Sequence, residues 1–306
     1  MRAESLYPLR WCAARLGRHN PLRIASVQVL RRLARRLRPA EMVQVVEPLD
    51  APGLRFAAGD SMVTDAVFWF GTRGYEGVLY DLWRLLAAQA GGILEIGGNI
   101  GFYTAVGARE NPRAHYRVVE PNPDVAAILR GNLALNGLDR VELIEAAAIP
   151  GTERATVRLA VPDDERGVPV GSYLQQGTEG IDRPARRSIE CQGLPMRELL
   201  AGADLVKIDA EGIEHALLES AAEQIVVQRP TIVVEVLPDS TRLGTLLGEL
   251  AVRAGYRLYA VPGWGSDELV RFAPSAFDPA LLPRCNSKDV ILSPRALAWA
   301  SREFAG

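Results

Sequence analysis

Seven short apolar runs punctuate the chain, at residues 93–96, 116–119, 141–144, 205–208, 232–236, 258–261 and 290–292, and helical stretches separate most of them. Runs this short and this apolar read as strands buried on both faces. Strands that alternate with helices need crossover connections, which gives a mainly parallel sheet covered by helices on both sides, an α/β fold. The 306 residues are 48% apolar and 24% charged, enough to build a sizeable core and too apolar for wholesale disorder.

Three segments depart from this rhythm. Residues 1–40 carry ten arginines against one acid, Glu4, and are divided by Pro8, Pro21 and Pro39. Within them Ile24, Val27, Leu30, Leu33 and Leu37 recur at helical spacing, with Arg31, Arg32, Arg35, Arg36 and Arg38 between, so residues 1–50 are predicted to form a basic helical arm. Such a helix either presents its arginines to an acidic substrate, partner or membrane, or docks by its apolar stripe on the core or on a dimer mate. Alternation over 54–70 suggests a hairpin turning at 58–60, and 75–88 reads as a helix. Residues 152–187 are polar, rich in glycine and proline, and include a strand-like stretch at 155–161; this loop insertion is expected to border the active site. The main domain is expected to span 51–306.

Composition excludes some classes. A formal charge of −2 gives the whole molecule no field that attracts nucleic acid. Cys12, Cys191 and Cys285 lack metal-type spacing, and an odd cysteine count argues against a secreted disulfide framework. No apolar run reaches 18 residues, so no transmembrane segment is predicted, and the expectation is a soluble cytoplasmic protein.

The sharpest local feature is residues 93–104, Ile-Leu-Glu-Ile-Gly-Gly-Asn-Ile-Gly-Phe-Tyr-Thr: an apolar strand with an acid near its end, a glycine turn, then a helix. Gly97 and Gly98 reach backbone angles closed to other residues and leave room for a ligand, while Gly101 permits close packing of the helix. Glu95 is suited to accept a hydrogen bond from an ammonium group. A dinucleotide turn, G-x-G-x-x-G, would face a pyrophosphate, and here Asn99 and Phe102 occupy its second and third glycine positions. Taken alone, the turn fits equally a tight bend with no ligand. The second strand supplies the further mark. It ends in Glu120, at a strand tip where a carboxylate receives both hydroxyls of a ribose, and Asn122 and Pro123 then open a helix with Val125, Ile128, Leu129 and Leu133 on one face and Gly137 as its stop.

The blocks at 95–101 (Glu-Ile-Gly-Gly-Asn-Ile-Gly), 119–123 (Val-Glu-Pro-Asn-Pro) and 206–214 (Val-Lys-Ile-Asp-Ala-Glu-Gly-Ile-Glu) resemble the signatures of the FkbM family of methyltransferases, over about residues 75–294. Glu95 and Gly98 stand where the family often has Asp and Ala. The resemblance implies a Rossmann-like class I methyltransferase fold, a seven-stranded, mainly parallel sheet whose last strand runs antiparallel, and S-adenosylmethionine as cofactor. It assigns Glu95, Gly97, Asn99 and Gly101 to the methionine part, Glu120 and the adjoining Pro121 to the ribose side, Ala147 within 146–148 to the adenine, and Ser172 to the cofactor's neighbourhood.

Methyl transfer to a hydroxyl needs alignment and removal of a proton. Asp209, at the expected fourth strand tip, is read as the base, as a group that positions cofactor and acceptor, or, with Glu211 and Glu235, as a ligand set for a divalent cation. Glu211, Glu214 and His215 fall at helical i, i+3 and i+4, which makes Glu211 and His215 further catalytic candidates. Against this, acids at a helix start serve its dipole and a histidine there is commonly a surface residue. Lys207 is expected to pair with a carboxylate. Enzymes that methylate amino groups commonly carry Asn/Asp-Pro-Pro-Tyr at the fourth strand; Asp209-Ala-Glu-Gly212 differs, and the family resemblance points to a hydroxyl of a sugar, polyketide or other small natural product. Two rivals remain: an RNA-directed methyltransferase that uses the basic arm, and a non-catalytic nucleotide-binding protein.

Overall fold

The computed structural model describes residues 43–59, 61–162, 168, 171–175, 184–237, 240–263 and 266–304. Residues 1–42 of the basic arm, with its expected roles toward RNA, membrane or a dimer mate, lie outside the described residues, and the remaining stretch 43–50 holds no helix.

The described chain begins with a two-stranded ribbon, β1 (Val45–Val46) antiparallel to β2 (Phe56–Ala57). The hairpin expected across 54–70 does not form. Its second arm is helix α1 (Met62–Phe70), because Ser61 caps the first turn by accepting from the Thr64 N–H, and Val63, Val67 and Phe70 recur at helical spacing into the core. Helix α2 (Leu79–Ala87) follows, shorter than the expected 75–88.

The remaining elements alternate as the apolar runs require. They are β3 (Gly92–Ile96), α3 (Phe102–Glu110), β4 (His115–Val119), α4 (Pro123–Leu135), β5 (Glu142–Ile144), β6 (Ala147–Ile149), β7 (Ala155–Pro162), β8 (Tyr173–Leu174), β9 (Ala185–Pro195), α5 (Met196–Leu200), β10 (Leu205–Ile208), α6 (Glu214–Ser220), α7 (Ala222–Gln228), β11 (Thr231–Glu235), α8 (Thr241–Ala254), β12 (Arg257–Val261), β13 (Leu269–Phe272), β14 (Asp289–Ser293) and β15 (Ser301–Glu303). All seven apolar runs are strands of one sheet.

That sheet has nine strands in the order β15-β13-β12-β14-β11-β10-β3-β4-β5, not seven. β10, β11, β3, β4 and β5 pair in parallel, β14 runs antiparallel to both β11 and β12, and β13 is antiparallel to β12, so the sheet is mixed. β13 and β15 escape a reading based on apolar runs because they form the sheet's margin, and β15 is fully exposed. Side chains alternate across the sheet. Ile93, Leu205 and Val233 enter one buried cluster with α1 to α4, while Leu94, Val206 and Val234 enter another with α6 to α8. The 152–187 region contributes β7, which pairs antiparallel with β9, and these join β6 and β8 in a small four-stranded sheet.

Candidate active site

The carboxyl ends of β3, β4 and β10 converge on a partly open cavity. Its walls carry Glu95, Gly97, Asn99, Glu120, Pro121, Ala147, Ser172, Asp209 and Glu211, so the structure brings together most of the residues proposed from sequence. The insertion contributes Leu159, Gly171, Ser172 and Leu174 to the wall, and Tyr75 and Tyr103 close another side.

The glycine turn works mainly by packing protein against protein. A Cβ on Gly97, whose φ is +84°, would lie 1.8 Å from the Asp209 carbonyl oxygen, so only glycine lets the tips of β3 and β10 sit side by side. Gly101 does not line the cavity. It starts α3 at φ +85° and a Cβ there would meet Leu129 of α4 at 3.1 Å, the close helix packing expected of this glycine.

Glu95 is buried at 1% exposure, and its Oε2 accepts from the Tyr116 hydroxyl at 2.6 Å and the Thr104 hydroxyl at 2.8 Å. Burial pushes its carboxyl up to about 7, against the pull of the Lys207 charge and these two hydroxyls. Glu120 accepts the Asn99 N–H at 2.9 Å and the Asn122 N–H at 3.0 Å, so it ties the turn after β3 to the start of α4. It too is driven to about 7 by burial, with the Asn122 and Asn99 N–H groups opposing. The Asn122 amide in turn donates to Ser172 Oγ at 3.1 Å, which ties Ser172 to the start of α4.

At the tip of β10, Lys207 Nζ donates to Asp209 Oδ2 at 2.8 Å and lies 5.0 Å from the centroid of the Tyr103 ring. Burial disfavours the Asp209 charge, but the Lys207 and Lys288 ammonium groups outweigh it and hold the carboxyl well below its ordinary range. A carboxylate held ionised in this way is a weak proton acceptor.

Glu211 stands outside the helix. It occupies the preceding loop at φ +52°, so the expected helical face shared by Glu211, Glu214 and His215 does not exist. Glu214 is buried and accepts the Ala210 N–H at 2.8 Å and the Gly212 N–H at 2.9 Å, which fixes that loop. His215 is buried, not a surface residue, and is not among the residues that line the cavity. Glu235 is also absent from the wall. It accepts Lys288 Nζ at 2.6 Å, and Lys288 reaches Glu76 at the same distance. Among the described residues no group of three or more His, Cys, Asp and Glu side chains is arranged to hold a metal ion. Ammonium groups, those of Lys207 and Lys288, sit beside Asp209 and Glu235, two of the three candidate ligands for a divalent cation.

Glu76, Lys288 and Asp289 were missed from sequence. The antiparallel β14 places its first residue, Asp289, opposite Glu235 of β11 and Val261 of β12, which brings Lys288 to the same sheet edge as Asp209. The adjacent charges of Lys288 and Asp289 just before an apolar run were the available signal.

An open, mixed sheet with β14 inserted antiparallel between β11 and β12, and a cavity over the carboxyl ends of β3, β4 and β10 with acids at neighbouring tips, defines a Rossmann-like α/β fold. The Methyltransferase FkbM domain family matches residues 95–258, over half of the chain, and the chain belongs to that S-adenosylmethionine-dependent family. The chain is similar in structure to the methyltransferase FkbM from Methylobacillus flagellatus KT at 14% identity and a TM-score of 0.43, covering 75% of this chain and 53% of that one, about half its length. It is similar to cofactor-bound Rv0187 from MTB at 19% identity and a TM-score of 0.36, covering 71% and 80% of the two chains. Precorrin-6y C5,15-methyltransferase from Geobacter metallireducens GS-15 aligns at 14% identity and a TM-score of 0.36, over 60% and 72%. No curated protein matches the sequence. Among the described residues no helix is long and apolar enough to cross a membrane.

Proposed function

We propose that the protein is an S-adenosylmethionine-dependent O-methyltransferase acting on a hydroxyl group of a small molecule such as a sugar or polyketide. One observation carries the reading: within the family's matched region, Glu95, Glu120 and Asp209 stand on neighbouring strand tips around a single cavity. When bound, the cofactor supplies an electrophilic methyl group on a sulfonium.

The residues present fit that group. Glu120 oxygens keep lone pairs free beyond their two backbone N–H bonds, enough to accept ribose hydroxyls. Ala147, small and buried, leaves a flat wall for an adenine, and the Glu95 carboxylate offers negative charge toward an ammonium. Asp209, held ionised by Lys207, is placed to accept a hydrogen bond from the acceptor hydroxyl and orient its oxygen. Tyr75, Tyr103, Leu159 and Leu174 give the same space apolar walls.

The test is calorimetric titration with S-adenosylmethionine, followed by incubation with methyl-labelled cofactor and an extract of the source organism. A labelled small molecule with an alkali-stable ether is expected. Absence of cofactor binding, or label confined to RNA, overturns the reading.

A further inference from the structure

The proposed chemistry uses Tyr75 only as apolar wall, yet the chain between α1 and α2 holds this side chain at the cavity with unusual firmness. A Cβ on Gly74 would lie 2.2 Å from the Ala66 carbonyl oxygen of α1, and one on Gly77, at φ +57°, would lie 2.4 Å from the carbonyl oxygen of Gly263, just past β12. Glu76 between them adopts φ +53°, uncommon for a residue with a side chain, and its Oε1 accepts from Lys288 Nζ at 2.6 Å in the charge cluster that β14 brings to this sheet edge. Such a conformation persists only where the surrounding contacts over-determine it, and strain of this kind gathers at ligand sites. On its other side the Tyr75 ring meets Phe102 edge-on, with 5.8 Å between centroids and 83° between planes, and lies 6.4 Å from the Tyr103 ring.

This rigid mounting ends in a hydroxyl that holds nothing. Among the described residues the Tyr75 oxygen has no hydrogen-bond partner, although a phenol in a protein interior normally finds one. Burial, followed by the Glu76 and Asp209 charges, pushes this hydroxyl well above its ordinary range, with Lys288 opposing, so it stays protonated and able to donate. The strand order β10-β3-β4 fixes which end of the cavity it serves. Asp209 follows β10 and Glu120 follows β4, so their strand tips stand two strand spacings apart, about 10 Å. The Asp209 charge acts on the Tyr75 hydroxyl, which puts the free donor at that end.

We infer that Tyr75 is a specificity-determining residue for the methyl acceptor, its hydroxyl donating to a second oxygen of the molecule whose reacting hydroxyl Asp209 orients. The inference rests on the proposed O-methyl transfer. Two oxygens are required by the chemistry. The oxygen that receives the methyl group must keep a lone pair aimed at the methyl carbon, and a hydrogen bond donated into that oxygen would hold back the electron density the attack needs. Asp209 only accepts, so it can take the hydroxyl's O–H without that cost, whereas a donor such as Tyr75 is suited to a nearby oxygen that does not react. One acceptor and one donor on rigid mounts therefore select a polyoxygenated substrate, with a hydroxyl for the methyl group and a further hydroxyl, ether or carbonyl oxygen within reach of Tyr75, over a simple alcohol of similar size.

Tyr75→Phe removes the oxygen and keeps the ring against Phe102. The probe is the small-molecule fraction of the source-organism extract that the parent protein labels from methyl-labelled S-adenosylmethionine. With that fraction as the varied substrate, the variant is expected to raise the apparent KM about three- to tenfold, the contribution of one hydrogen bond between uncharged groups, with kcat changed less than about twofold and the Kd for S-adenosylmethionine at its parental value. If Tyr75→Phe does not fold, Tyr75→Met, also without a hydrogen-bond donor, takes its place. A parental KM overturns the assignment, as does a loss of cofactor affinity equal to the rise in KM, which a merely structural role would produce, or a labelled product whose only oxygen is that of the methyl ether. A parent protein that binds no S-adenosylmethionine, or labels no small molecule, refutes the proposed function instead.

Discussion

Glu120 is the residue whose replacement speaks most directly to the cofactor assignment, and Glu120→Gln is a cleaner perturbation than alanine. Alanine would strip both bonds to the Asn99 and Asn122 N–H groups and loosen two loops at once. Glutamine keeps one carbonyl oxygen, but its NH₂ must then face the other N–H donor. The loss of one buried bond costs roughly 1–3 kcal/mol, and relief of a carboxylate that burial already disfavours offsets part of it. The melting temperature should therefore fall by only a few degrees. Binding should suffer more, because a carboxylate that receives a ribose hydroxyl makes a charge-assisted bond of roughly 1.5–3 kcal/mol, equivalent to about a ten- to hundredfold rise in Kd. Calorimetric titration with S-adenosylhomocysteine measures this free of any acceptor. The pH dependence adds a sign test. Burial raises Glu120 to about 7, so lowering the pH through 7 protonates the acceptor of the ribose bonds and affinity falls, while above 7 it levels off. Glu95 titrates in the same window, so the informative quantity is the difference between parent and variant, in which the Glu95 contribution cancels. A folded Glu120→Gln protein that binds with parental affinity and a parental pH profile would refute the ribose assignment.

Other substitutions probe the frame around the cavity. Asp209→Asn leaves the buried Lys207 ammonium without its partner and should cost about 3–5 kcal/mol in chemical denaturation, most of it recovered in the Lys207→Met/Asp209→Asn double variant; parental stability of the single variant would refute the buried pair. Gly97→Ala sets a Cβ against the Asp209 carbonyl at positive φ and should destabilise by more than about 3 kcal/mol, whereas Gly131→Ala, on α4 with nothing within 4 Å, should stabilise by about 0.5–1 kcal/mol on the same denaturation curves. Glu214→Ala frees the Ala210 and Gly212 N–H groups and should speed hydrogen exchange in the Glu211 loop by at least tenfold while exchange in β10 stays slow.

How much of this was legible in the sequence depends on whether the determining contact is local. The strand tips were readable because burial on both faces writes an unbroken apolar run, and because Glu95 and Glu120 interrupt such runs at their ends. The cap at Asn122 was readable for the same reason, since a side chain that bonds the N–H two residues on needs no distant partner. The helix at Met62–Phe70 was misread because its last residues, Val67 to Phe70, are all buried against the core, and a fully buried patch has no polar face to reveal its period. The charge cluster was not legible at all. Glu76 and Lys288 are brought to 2.6 Å only by the antiparallel insertion of β14 between β11 and β12, a pairing that no spacing along the chain encodes. That same insertion bears on Asp209. An acid at the tip of β10 reads from sequence equally as a base, a positioning group or a metal ligand, and the ammonium groups of Lys207 and Lys288 that hold it ionised are the long-range feature no local spacing could weigh among the three.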